Sequence, residues 1–396
     1  MSMQRSTNGH IRTTHTGSLP RPPEMLETMR AMAAGHAYDK QAYEAALARE
    51  VADAVRRQVE AGIDVVTDGE YSKPSFQHYV AERLDGFEAR WPGGELPAPT
   101  GPIGLDGRDA KMFPDFYQNV LDNNPFRHTI RMPPRVCIGP IRYVGQEKLQ
   151  RDIRNLKAAM ARAGASEGFM PSLAPAPSMK NEYYRDDDEF LEAYGEAMRE
   201  EYQAILDAGL LLQVDYPTLV SAWDTASNTM SLAEYRTWTE ARIAHLNYAL
   251  RGLPEDRIRF HTCYGVNFGP RVSDLALKDI IDLIFTIKAG AYSFEAANPR
   301  HEHEVHLLEQ IRLPAGKILI PGAVTHSNAM IEHPELVADR MERWANVVGT
   351  ENVIFGNDCG FQSTAGNREI PPTVAWAKLQ ALGEGSRIAS QRLRGR

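Results

Sequence analysis

Short apolar runs alternate with long amphipathic stretches along almost the whole of this 396-residue chain. Nine runs read as strands: Ile11–Thr14, Ile63–Thr67, Arg135–Gly139, Phe169–Leu173, Leu210–Asp215, Arg257–His261, Ala291–Glu295, Lys317–Pro321 and Val353–Gly356. Between them lie helical patterns such as QAYEAALAREVADAVRRQVEAG and DEFLEAYGEAMREEYQAILDAG. Both end in Ala-Gly, a stop signal that leads at once into the next strand. A strand that returns through a helix pairs in parallel with its predecessor, so this order predicts an α/β fold with a parallel sheet. No G-x-G-x-x-G follows the first run, which removes the main sign of a dinucleotide-binding open sheet.

The residues able to do chemistry follow the strands: His15, Glu70, Asp215, His261, Cys263, Glu295, His326 and Cys359. A (β/α)8 TIM barrel gathers all such positions on one face, whereas the outer edges of an open sheet never meet. The expectation is a single catalytic barrel domain over residues 1–396 with loop insertions. Nine runs exceed the eight a barrel needs, so either Ile11–Thr14 or Arg135–Gly139 is surplus. A Pro/Gly-rich insertion without clear periodicity occupies about 86–132, and PSLAPAPSMKNEYYRDDDE is a Pro-rich loop at a strand end. Excursions of this length in barrels serve as lids or contact surfaces.

Two of the three cysteines stand at such strand ends, in His261-Thr262-Cys263 and Asp358-Cys359-Gly360, and Glu295 lies between them in sequence. One imidazole, two thiolates and a carboxylate make a tetrahedral zinc set. A structural zinc finger draws its ligands from tight pairs. Here they come from three separate strand ends, so only a large preformed fold could assemble them. The opposing reading is that buried cysteines are ordinarily small hydrophobes, and these residues alone divide evenly between metal and core packing. Cys137, in RVCIGPI, reads as a strand-core thiol.

An odd cysteine count without framework spacing argues against a disulfide-stapled secreted protein. A net charge of -8 with no basic stripe excludes a general nucleic-acid binder. No stretch approaches the roughly 18 apolar residues of a membrane span, and the first residues hold no apolar leader. A soluble, cytoplasmic protein is expected.

Several motifs occur in order: TTHTGSLPRP, then DGE at Asp68–Glu70, LQVDYP around Asp215, HTC, FE at Glu295, PGAVTHS with His326, and NDCGFQS. In this the chain resembles the catalytic barrel of cobalamin-independent methionine synthase, in the superfamily that also holds uroporphyrinogen decarboxylase. The resemblance implies that His261, Cys263, Glu295 and Cys359 ligate Zn2+. It departs from the family in two respects. The synthase's second, N-terminal barrel-like half has no counterpart in these residues, and the family's D-E-P reads Asp215-Tyr216-Pro217, losing a carboxylate. Single-barrel relatives include enzymes that take methyl groups from corrinoids and others that open epoxides with coenzyme M.

A free thiol with a pKa near 8.5 is mostly protonated at neutral pH, and zinc removes that proton while leaving the sulfur nucleophilic. The expected function is therefore zinc-dependent methyl transfer from a donor such as 5-methyltetrahydrofolate to a thiol such as homocysteine, giving methionine. Alkyl transfer with another thiol or donor is the alternative, and a metal-free decarboxylase stands further off because HTC and DCG would be unused. His326 is the candidate general acid for the leaving group. Glu70 and Asp215 are candidates for binding a substrate ammonium, His15 for lining the same pocket, and Gly17 with Ser18 for holding a carboxylate. His301, His303 and His306 read as a charged first helical turn. The expected partners are small molecules, with homo-oligomerisation left open.

Overall fold

The computed structural model describes residues 2–90, 105–123, 128–175, 179–265, 269–367 and 370–395. Ten strands are present among them: β1 (Val65–Val66), β2 (Leu84–Ala89), β3 (Arg135–Tyr143), β4 (Glu167–Leu173), β5 (Lys180–Asn181), β6 (Leu211–Asp215), β7 (Ile258–His261), β8 (Ala291–Phe294), β9 (Ile318–Val324) and β10 (Gly356–Asn357). Seven form one sheet in the order β1-β4-β6-β7-β8-β9-β10, every pair parallel. The architecture is a mixed α/β fold around this curled sheet.

The sequence explains the parallel order. Helix Lys40–Glu60 starts at Asp39, whose side chain accepts the Ala42 N–H, and stops at Ala61-Gly62, where glycine takes a φ of 82°. Helix Asp187–Asp207 starts at Asp186, carries three acids in its first turn, and stops at Ala208-Gly209 with a φ of 87°. Acids at a helix N-terminus meet the unpaired N–H groups there. Each helix then hands the chain to the next strand. β4, β6, β7, β8 and β9 are buried along their whole length, as expected of strands covered on both faces. Val65, Phe169, Leu211, Ala291, Ile318, Ile320 and Ile354 share one apolar cluster, drawn from six strand regions.

The surplus run is Arg135–Gly139. It extends to Tyr143 as β3 and leaves the main sheet, pairing antiparallel with β2 and parallel with β5. Ile11–Thr14 instead lies at the seam between the sheet's edges. Asp64 and Val65 donate to the Thr13 carbonyl, both at 3.1 Å, while Phe355 donates to Arg12 at 3.0 Å and Thr14 donates to Phe355 at 2.8 Å. These single bridges span the gap without a continuous ladder.

The insertion is more ordered than its composition suggests. It begins in β2 and holds helices Arg108–Met112 and Pro114–Asn123. Its residues 91–104 and 124–127, and residues 176–178 of the Pro-rich loop, lie outside the described residues. Asp109 is 2% exposed and accepts the backbone N–H groups of Val272 and Ser273 at 3.1 and 2.9 Å, which ties the insertion to the loop after β7. No helix among the described residues is long and apolar enough to cross a membrane.

Candidate metal centre and substrate pocket

His261 ends β7, and its strand is pinned on both sides: Tyr216 donates to the His261 carbonyl, and Thr262 donates to Ser293 of β8. The imidazole is buried. Its Nδ1 lies 3.1 Å from Ser293 Oγ, and its Nε2 has no partner. Burial lowers its pKa to about 3, so the ring is neutral, as a metal ligand must be. Cys263 and Cys359 are buried with their sulfurs 3.1 Å apart. The Cys263 contact, with burial, pushes the Cys359 thiol well above its usual value. The ligand atoms of His261, Cys263 and Cys359 all lie within 4.8 Å of one another. A buried imidazole with one orphaned nitrogen, clustered with two sulfurs, fits a metal ion.

Glu295, the fourth expected ligand, follows β8 but falls into a neighbouring group with His326 and Asp358. Its Oε1 accepts the Tyr264 N–H at 2.8 Å, and its Oε2 accepts from Arg271 at 2.8 Å and Asn298 at 2.9 Å. Burial raises the Glu295 pKa against the pull of Arg271. All three partners are donors, however, which an ionised carboxylate satisfies and a protonated one does not.

The Asp358 carboxylate organises the turn that presents Cys359. Its Oδ1 accepts from Ala296 and Ala297 at 2.7 and 2.8 Å, joining the loop that bears Glu295 to the one that bears Cys359. Asn357 ties the same turn to the N-terminal motif, accepting the Thr16 N–H at 2.8 Å and donating to the Cys359 carbonyl at 2.6 Å. His326 follows β9 with Nε2 at 3.2 Å from the Gly265 carbonyl and Nδ1 unpartnered. Burial lowers its pKa to about 4 against the opposing charge of Asp358, so the ring is neutral at pH 7.

Glu70 and Asp215 make a second, acidic site. Glu70 holds a left-handed φ of 58°, is buried, and leaves Oε2 without a hydrogen-bond partner. Lys73 Nζ stands 3.5 Å from that oxygen and donates to Pro171 O. Asp215, at the end of β6, accepts from Gln213 at 2.8 Å. Burial and then the Glu70 charge raise its pKa well above the carboxylate range. Gly17 has a φ of 134°, and a Cβ there would meet Pro171 at 2.8 Å and Glu70 Oε1 at 2.9 Å, so only glycine lets the backbone run so close. Ser18 packs against Gly360 beside Cys359, and its carbonyl accepts from Phe361 at 3.0 Å. His15 differs from expectation: Nε2 meets Gln58 at 2.8 Å and Nδ1 accepts from Gly17 at 3.3 Å, leaving neither nitrogen for a ligand. It shapes the Gly17 turn.

Sequence reasoning missed Ser293, Arg271, Asp274 and His301. His301 is buried, unlike its neighbours' reading as a charged turn: it bonds Glu304 at 2.8 Å and Asp274 at 3.0 Å and stacks on Tyr264 at 4.1 Å. Cys137 is buried in β3 and belongs to no ligand group.

The family described as "Cobalamin-independent synthase, Catalytic domain" matches residues 11–94 and 174–378, more than half of the chain. A protein of Saccharolobus islandicus named methionine synthase is 23% identical over 385 residues, covering 96% of each chain. A Thermotoga sp. 5-methyltetrahydropteroyltriglutamate–homocysteine methyltransferase is 24% identical over 363 residues, which are 91% of this chain and 42% of that one. Among solved structures, a B12-independent methionine synthase from Shewanella sp. W3-18-1 superposes with a TM-score of 0.70 at 18% identity, covering 98% of this chain and all of its own.

Proposed function

The chain belongs to the cobalamin-independent synthase catalytic-domain family, and from that membership we propose that it is a zinc-dependent methyltransferase acting on homocysteine. The methyl group would come from a 5-methyltetrahydropteroyl donor, and the product would be methionine. The observation that carries the reading is the cluster of the His261 imidazole with the Cys263 and Cys359 sulfurs. Zinc bound there would hold the substrate thiol as a nucleophilic thiolate.

The chain's own residues account for the rest. Glu70 and Asp215 offer a buried acidic pair to a substrate ammonium, which would donate to Glu70 Oε2, an oxygen that accepts no hydrogen bond and has only the Lys73 ammonium beside it at 3.5 Å. That pair favours an amino-acid thiol over a sulfonate-bearing one. Backbone at Gly17 and Ser18 would face the substrate carboxylate. In the transfer, the sulfur–carbon bond forms as the nitrogen–methyl bond breaks, and the departing amine needs a proton. His326 is the proposed carrier: its unpartnered Nδ1 would take the proton that the substrate thiol gives up on becoming the thiolate and pass it to the departing amine. Ile11–Thr14 is proposed as the strand that completes an eight-stranded barrel over residues 1–396. The test is zinc content together with methionine formation from homocysteine and a methyltetrahydrofolate donor. A well-folded, zinc-replete protein that leaves homocysteine unmethylated with every donor would remove the proposal.

A further inference from the structure

Glu70 and Lys73 are the two ends of one tightly held turn. Lys73 donates its backbone N–H to the Glu70 carbonyl at 3.0 Å, and the buried Arg21 guanidinium donates to the carbonyls of both residues at 3.0 Å. Both side chains are buried and carry opposite charges, yet they are not bonded to each other. Lys73 Nζ stands 3.5 Å from Glu70 Oε2, against about 2.7–2.9 Å for a charge-assisted hydrogen bond. A buried ion pair nearby is closed by comparison: Arg83 donates to Asp152 at 2.7 Å and to Glu201 at 2.9 Å. Two further contacts fix Lys73, the Pro171 carbonyl at 2.6 Å and the Tyr79 ring at 4.3 Å. The Tyr79 hydroxyl is itself held by Glu201 at 2.7 Å and Ser172 at 3.1 Å. Gly17 runs against Glu70 and Pro171, the same two residues that Lys73 contacts.

On the footing of the amino-acid substrate proposed above, we propose that Lys73 is a specificity-determining residue that takes the substrate's α-carboxylate while Glu70 takes its ammonium. The two groups of an α-amino acid sit on one carbon. A ligand whose ammonium donates to Glu70 Oε2 therefore brings its carboxylate to Lys73, 3.5 Å from that oxygen. Charges then alternate around a ring of Glu70, substrate ammonium, substrate carboxylate and Lys73. Two buried charges in incomplete contact repay little of their desolvation, and the ring gives each of them a second opposite neighbour. A ligand with the amine alone would set two cations on one carboxylate. A ligand with the acid alone would set two anions beside one ammonium. Backbone at Gly17 and Ser18 would add hydrogen bonds to the carboxylate but no charge. The pocket so built selects the acceptor thiol as a zwitterion.

The test needs neither methyl donor nor turnover. Calorimetric titration of the zinc-loaded protein compares three thioethers: methionine, 3-(methylthio)propylamine, which lacks the carboxylate, and 4-(methylthio)butanoate, which lacks the ammonium. Wild type should bind methionine about 10- to 150-fold more tightly than either, the worth of one charge-assisted contact. Lys73→Gln keeps a donor for Pro171 and removes the charge. It should lose about the same factor on methionine and on 4-(methylthio)butanoate and nothing on the amine, and Lys73→Arg should keep most of the preference. A loss on the amine as large as on methionine would overturn the inference and leave Lys73 only the counter-ion of Glu70. If Lys73→Gln does not fold, the wild-type comparison decides: equal affinity for methionine and the amine overturns the inference, and the expected gap sustains it. A folded wild type that binds none of the three would instead overturn the amino-acid reading of the pocket itself.

Discussion

Glu70→Gln isolates the recognition of the substrate ammonium, because the change keeps size and removes one charge. Glu70 Oε2 is buried and accepts no hydrogen bond, so an ammonium there gains a full charge-assisted contact. Such contacts contribute about 1.5–3 kcal/mol. At about 1.4 kcal/mol per tenfold, kcat/KM for homocysteine should fall about 10- to 150-fold. The loss should stop short of complete. Beside burial, the Glu70 charge raises the Asp215 pKa, so removing it lets Asp215 ionise more easily and keep part of the binding. The decisive assay pairs homocysteine with 4-mercaptobutanoate, the same thiol acid without its amino group. Wild type should prefer homocysteine, and the variant should narrow that preference by the factor it loses on homocysteine. Zinc content, measured in parallel, should not change. An equal loss on both thiols would refute the reasoning and make Glu70 a structural acid paired with Lys73.

Ser293→Ala should weaken zinc binding by about 10- to 100-fold in a chelator competition, since Ser293 Oγ lies 3.1 Å from His261 Nδ1 and would orient the ring for the metal. An unchanged affinity would show that the hydroxyl does not orient the ring. His326→Ala should keep zinc yet slow transfer from a folate amine by about 10^2 to 10^4, with little effect when the leaving group departs without a proton. Equal loss with every donor would assign the residue a structural role. His301 is raised to about 9 by Asp274 and Glu304 in spite of its burial. A folded-state pKa above the unfolded 6.5 gives stability that is complete below pH 6.5 and lost as pH rises through about 9. At about 1.4 kcal/mol per unit it amounts to about 3 kcal/mol at most. The urea-unfolding gap between wild type and His301→Gln should therefore close between pH 6.5 and 9.5, and a pH-independent gap would contradict the charged assignment.

The strands of the main sheet were legible because most are short, mainly apolar runs set between helical patterns, and both features are local. Which sheet a run joins is not local. Arg135–Gly139 reads as strand correctly, yet its continuation over Pro140–Tyr143 alternates exposed and buried residues, which suits an antiparallel pair with one wet face. Ile11–Thr14 was ambiguous because it holds its place by single bridges. That His261, Cys263 and Cys359 could come together was legible from rare residue types at strand ends, and the fold does cluster them. Arg271 was not: GPRVSD has no period, and its importance comes from Asp109, Asp274 and Glu295, which are distant in sequence. His301, His303 and His306 look alike in the chain, and only stacking on Tyr264 singles out the first.

The central claim is that a metal held by His261, Cys263 and Cys359 binds and activates a substrate thiol. X-ray absorption at the zinc edge tests it directly, before and after homocysteine is added. The account predicts about one zinc per chain with two sulfurs at roughly 2.3 Å, rising to three with homocysteine. A metal-free protein after growth in ample zinc, or a sulfur count that homocysteine leaves at two, would contradict it.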